Sequence, residues 1–143
     1  MFNKRAWSIW LVATLFVAFQ LFVGILFGIS TKELSSALSI SGMDVSNIVA
    51  IYFLAYACMQ IPAGFIIDRV SIKYTLLTAS ILIVVGLILL GITHSLLFAY
   101  LAAILMGVAS SFCFVAAVVL IGRWFNPKMF SVVVGMTSGA NGL

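Results

Sequence analysis

The sequence predicts an all-α integral membrane protein, with four complete transmembrane helices and an incomplete fifth. Two observations carry this reading. Of 143 residues, 65% are hydrophobic and only 7% are charged, where a soluble domain would carry roughly 25% charged residues. So few charges cannot coat a soluble globule, and disorder would demand the opposite composition. The charges also gather into clusters, and each uncharged stretch between them is long enough for one or two bilayer crossings.

A bilayer core of about 30 Å needs about 20 apolar helical residues. Lys4 and Arg5 open the chain, and the next charge is Lys32. A first helix over about residues 7–29 fits between them. Its apolar run exceeds that of a signal peptide and no small-x-small cleavage site follows it, so it reads as an anchor. An outer loop over about Ser30–Ser46 follows, with Ser41-Gly42 as a turn signal. Asp44, Ser46 and Asn47 are candidate N-caps for a second helix over about 47–67.

Asp68, Arg69 and Lys73 close that helix, and no charge follows from Tyr74 to Gly122. Gly91-Ile92-Thr93-His94-Ser95 divides this stretch into helices over about 75–93 and 97–122. The connection before the third helix is short, so the second and third are antiparallel neighbours. A fifth helix begins near Met129 and runs to Leu143, too short to span. The last residues, Asn141-Gly142-Leu143, lie inside an apolar segment without a charged tail, so the sequence predicts a fragment of a longer chain.

Composition also bounds function. Seven Lys and Arg spread along the chain form no basic stripe for nucleic acid. One His and three carboxylates leave little for acid–base or metal-dependent catalysis. No enzyme, cofactor or metal site is expected. Cys58 and Cys113 each sit in an apolar run and read as small buried hydrophobes.

Orientation follows from the basic residues. Lys4, Arg5, Arg69, Lys73, Arg123 and Lys128 fall on one side under alternating topology, and Lys32 alone on the other. The positive-inside rule places the N-terminus in the cytoplasm. The expected location is a bacterial cytoplasmic (inner) membrane.

Two connections carry recognisable patterns. Gly64-Phe65-Ile66-Ile67-Asp68-Arg69-Val70-Ser71-Ile72-Lys73 lies between the second and third helices, after Gln60-Ile61-Pro62-Ala63. Arg123-Trp124-Phe125-Asn126-Pro127-Lys128 follows the fourth helix and leads into Gly135, Gly139 and Gly142. The first resembles the signature loop of the major facilitator superfamily at Gly64, Asp68, Arg69 and Lys73, with Ser71 and Ile72 departing from it. The second is similar to the R-W-F-x-P run of many members.

The resemblance implies the N-terminal part of a twelve-helix secondary active transporter. Its substrate site would lie between two six-helix halves. Residues 1–143 would be part of the first half, inactive without the missing C-terminal half. The third helix would be peripheral, and the Gly64, Asp68, Arg69 and Lys73 loop a conformational switch. Asp68 sits at a helix C-terminus, against the unfavourable end of the dipole, which suggests a partner elsewhere. Gly64 would admit a close neighbour, as would the Gly24/Gly28 and Gly135/Gly139 pairs.

Depth arithmetic nominates cavity residues. Gln20 lies about 20 Å from the inner surface, Tyr56 about 13 Å below the outer one, and Ser110 and Ser111 about 20 Å below it. Tyr52, Tyr56 and Gln60 share one helix face, and Ala103, Gly107, Ser110 and Ser111 form a small-residue face. Substrate-cavity candidates are therefore Gln20, Tyr52, Tyr56, Ser110 and Ser111. Gln20 could otherwise join helices, tyrosines could belong to the interfacial belt, and serines could bond their own helix.

The implied activity is uptake of a small polar or anionic solute by alternating access. No carboxylate lies inside the four complete helices, so any proton- or ion-coupling group would lie elsewhere. The efflux branch of the family is the alternative. Ala103 stands where that branch usually has Arg, and Gly139-Ala140 where it has Gly-Pro. Outside the family, a small self-contained exporter would need a carboxylate in its first helix. A membrane-assembly subunit would not carry the Gly64–Lys73 loop.

Overall fold

The computed structural model describes residues 4–29 and 31–140. Among these residues the regular structure is all helix, with no strand. The helices are α1 (Lys4–Ile29), α2 (Thr31–Leu38), α3 (Gly42–Arg69), α4 (Ile72–Ile92), α5 (Leu96–Trp124) and α6 (Pro127–Ala140). Four of them, α1, α3, α4 and α5, are long and apolar enough to cross a membrane. They correspond to the four expected crossings, each within a few residues of its predicted ends.

The largest difference lies between the first two crossings. The expected polar loop over Ser30–Ser46 contains a helix, α2, and a tight turn. Leu34 and Leu38 sit one turn apart and both pack onto the main core, which gives this short segment a reason to coil. Ser39 ends it with φ 52, a left-handed setting usually taken by glycine. The Ile40 amide then donates to Ser35 O at 3.1 Å, and the Ser39 amide to Ser36 O at 3.4 Å. That is a Schellman ending, with Ile40 packed on the same core as Leu34.

The start of α3 shifts for the same reason. Its N-cap is Ser41, not Asp44, Ser46 or Asn47, and a capping box joins Ser41 to Asp44. Asp44 Nα donates to Ser41 Oγ at 3.2 Å and Ser41 Nα to Asp44 Oδ2 at 3.1 Å. Two otherwise orphaned donors are thereby satisfied. Ser46 instead donates to Gly42 O inside the helix. Pro62 lies within α3, so the Cys58 carbonyl loses its usual backbone partner.

At the other end, α6 begins on Pro127, where a missing N–H costs nothing. Asn126 precedes it and accepts from the Lys128 amide at 3.3 Å. The expected fifth helix therefore starts two residues early, and residues 141–143 lie outside the described part.

Helix α5 is central. It carries twelve buried residues, more than any other helix, and packs on α3, α4 and α1. Helix α4 lies to one side and exposes Leu77, Ile81, Val84, Val85, Ile88 and Ile92. Trp7 on α1 meets Phe125 beyond the end of α5, ring centroids 5.5 Å apart. Ser8 and Ile9 share a groove with Lys73. Lys4, Arg5, Arg69, Lys73, Arg123 and Lys128 therefore gather at one end of the bundle.

The cysteines divide. Cys113 is buried, as expected, but Cys58 is exposed.

Candidate functional site

The site begins where two backbones meet. A methyl group on Gly107 would collide with the Tyr52 carbonyl oxygen and lie 3.0 Å from Ala55 Cβ. Glycine at 107 is therefore what lets α5 touch α3 directly. The close approach lays Tyr52 along α5, and its hydroxyl donates to Ser110 Oγ at 3.1 Å. Both residues are fully buried.

Gln20 completes the group from α1. It is 3% exposed, and its side chain lies within hydrogen-bonding reach of the Tyr52 hydroxyl. Gly24, one turn along α1, faces the Tyr52 ring, and a methyl there would rest in ordinary contact with it, 3.7 Å from Cε1. Three helices thus bring an amide, a phenol and a hydroxyl together. Gln20 lies about 24 Å from the start of α1, and Ser110 about 21 Å from either end of α5. Both positions thus lie inside helices long and apolar enough to cross a membrane.

One atom in this group is unsatisfied. Gln20 Oε1 is buried and has no hydrogen-bond partner among the described residues. An unpaired polar atom at such depth costs free energy. Thr14 Oγ1, on the same helix, is in the same condition.

The other two nominated residues take different partners. Tyr56 is half-buried and its side chain pairs with Gln60 one turn on. Ser111 is buried, but its Oγ donates to Val108 O at 2.7 Å, within its own helix. The structure therefore unites Gln20, Tyr52 and Ser110, and leaves Tyr56 beside them and Ser111 apart. The small-residue face of α5, Ala103, Gly107, Ser110 and Ser111, is buried as a whole.

The loop residues stand at the basic end. Asp68, Arg69 and Lys73 are exposed, and Asp68 has no hydrogen bond or ion pair among the described residues. Gly64 corrects an expectation: nothing lies within 4 Å of a methyl placed there. Among the described residues no neighbour approaches α3 at Gly64, and the same holds for Gly135 and Gly139. The surroundings of Gly28 lie outside the described residues.

Two features had no expectation attached. A methyl on Gly86 would strike Met106 Cγ, so α4 seats on α5 through this glycine. The Trp10 indole donates to Thr137 Oγ1 at 2.9 Å, joining α1 to α6. Thr137 is buried and also donates to Val133 O at 3.0 Å. Trp7 stacks edge-on to Trp10 with centroids 5.4 Å apart. The signal available in the sequence was a polar side chain on α6 with no charge near it.

Among the described residues no cluster of His, Cys, Asp or Glu could hold a metal ion. The family model of the Major Facilitator Superfamily matches residues 6–143. No curated protein and no solved structure matches the chain. With four apolar spans, the Gly64–Lys73 loop and a match over nearly its full length, the chain belongs to the major facilitator superfamily, a family of multi-pass membrane transporters.

Proposed function

We propose that the chain contributes the first helices of a secondary transporter that takes up a small polar solute by alternating access, with Gln20 facing the solute. The observation that supports this most is the buried group of Gln20, Tyr52 and Ser110. It stands at mid-membrane depth, joins three helices and keeps one acceptor unpaired. A group needed only to hold helices together would satisfy its own atoms, because an orphan in hydrocarbon is expensive.

Six of seven basic residues at one end favour a cytoplasmic N-terminus in a bacterial inner membrane. Residues 1–143 form part of a six-helix half, and the solute site closes against a second half. Asp68 stands at the end of α3 without a hydrogen bond or ion pair among the described residues and serves as one side of a conformational latch, with Gly64, Arg69 and Lys73 shaping the loop around it. Any coupling proton or ion uses groups outside the four spans.

The test is uptake by the full-length transporter, both halves present, in proteoliposomes from a panel of radiolabelled sugars, polyols, amino acids and carboxylates. For whichever solute enters, Gln20→Ala lowers uptake at sub-saturating concentration about tenfold, the worth of one hydrogen bond. Unchanged kinetics would remove Gln20 from the site. Asp68→Asn lowers the turnover rate at least about fivefold while solute binding stays the same. A change in binding alone would place Asp68 outside any latch.

A further inference from the structure

A groove runs between α1 and α4 from the basic end of the bundle, where both helices start. Its wider part holds about 440 Å³ between Val12 and Phe16 of α1 and Leu76, Leu77 and Ile81 of α4. A second stretch, nearer the helix starts, adds Ser8 and Leu120 and shares Val12, Lys73 and Leu76 with the first. From Lys73 to Ile81 the groove follows α4 for about 12 Å. Val12, Leu77 and Ile81 are exposed along it.

The mouth is charged. Lys73 lines both stretches and makes no hydrogen bond or ion pair among the described residues. Asp68, the carboxylate at this end, belongs to α3, which contributes nothing to the lining. A cation at the bilayer surface, above an apolar slot that runs inward, matches a phospholipid in both charge and shape. The slot is a poor seat for another helix. Where α5 meets α3 and α4, Gly107 and Gly86 admit the contact. No glycine or alanine lines this groove, and branched and aromatic side chains hold helix backbones apart.

We infer that the groove between α1 and α4 binds an anionic phospholipid, with its phosphate on Lys73 and one acyl chain along Val12, Phe16 and Ile81. The site is separate from Gln20, Tyr52 and Ser110, none of which lines it.

The experiment is native mass spectrometry of the full-length transporter with equimolar dioleoylphosphatidylglycerol and dioleoylphosphatidylcholine, which differ only in headgroup. The wild type retains the anionic lipid in preference. Lys73→Gln lowers that preference about fivefold, the worth of one basic residue at an anionic headgroup, and Lys73→Arg restores it. Lys32→Gln, at the opposite end, leaves it unchanged. Leu77→Trp fills the slot from an exposed position and lowers retention of the anionic lipid. Inorganic phosphate does not displace the lipid, because it brings no chain.

Equal retention of the two lipids by the wild type, or a preference unchanged in Lys73→Gln, would overturn the site. Retention indifferent to Leu77→Trp would take the acyl chain out of the groove, and displacement by phosphate would reduce the site to an anion contact; either result overturns the lipid as occupant. A helix encoded beyond Leu143 that fills the groove would show as retention indifferent to both Lys73→Gln and Leu77→Trp, and would overturn it too.

Discussion

Helices α4 and α5 are close to indistinguishable as apolar sequences, yet 50% of an 18-residue apolar stretch of α5 is buried against 28% of the corresponding stretch of α4. The difference is side-chain size. Helix α5 presents Ala99, Ala103, Gly107, Ser110 and Ala117 to its neighbours, while α4 runs through Ile81-Leu82-Ile83-Val84-Val85. Lipid tails are as apolar as leucine, so hydrophobicity does not sort helices inside a bilayer. Small residues do, because they let backbones touch and let dispersion and hydrogen bonds act at short range. Polar contacts follow the same division: Ser110 on the buried helix bonds across to Tyr52 of α3, whereas the Ser80 hydroxyl on α4 turns back to Leu76 O of its own helix.

The comparison can be broken most severely at Gly107. Gly107→Val drives two methyl groups into the α3 backbone and costs about 3 kcal/mol or more. The expected readout is loss of a monodisperse peak in detergent chromatography and a lowered melting temperature. A well-folded Gly107→Val protein would mean that α3 and α5 do not meet at this point.

Gly86→Ala has a smaller effect, about 1 kcal/mol, because the obstacle is the flexible side chain of Met106 rather than backbone. The double variant with Met106→Ala recovers part of that loss in a double-mutant cycle on melting temperature. Strict additivity would show that this contact does not seat α4. The smallest effect is at Ile81, which is 54% exposed. Ile81→Val stays within about 0.5 kcal/mol of the wild type in the same melting assay, and a larger loss would place α4 inside the bundle rather than at its side.

The four crossings were legible because charge is excluded from hydrocarbon, so Arg5, Lys32, Asp68, Lys73 and Arg123 mark where spans stop. The family was legible in residues 64–73 for the same reason that the loop is short and polar. Helix α2 was not, because eight residues are too few for periodicity to speak, and only the tertiary seat of Leu34 and Leu38 stabilises them. Gly64 and Gly107 show the same limit from the other side. Both are glycines in apolar helices, and which one meets a neighbour depends on residues distant in the chain. Gln20 could be nominated by depth alone, but its relation to Tyr52 and Ser110 joins residues on three helices, and no local pattern encodes that.

The bond between Trp10 and Thr137 spans 127 residues of sequence. A ribosome delivers α1 to the membrane long before residue 137. Throughout that interval the indole N–H has no protein acceptor at Thr137, and an indole close to the end of its helix can turn to the wet carbonyl layer of the lipid instead. Insertion of α6 then exchanges that lipid partner for a protein one. This contact of α1 therefore forms only with the arrival of α6.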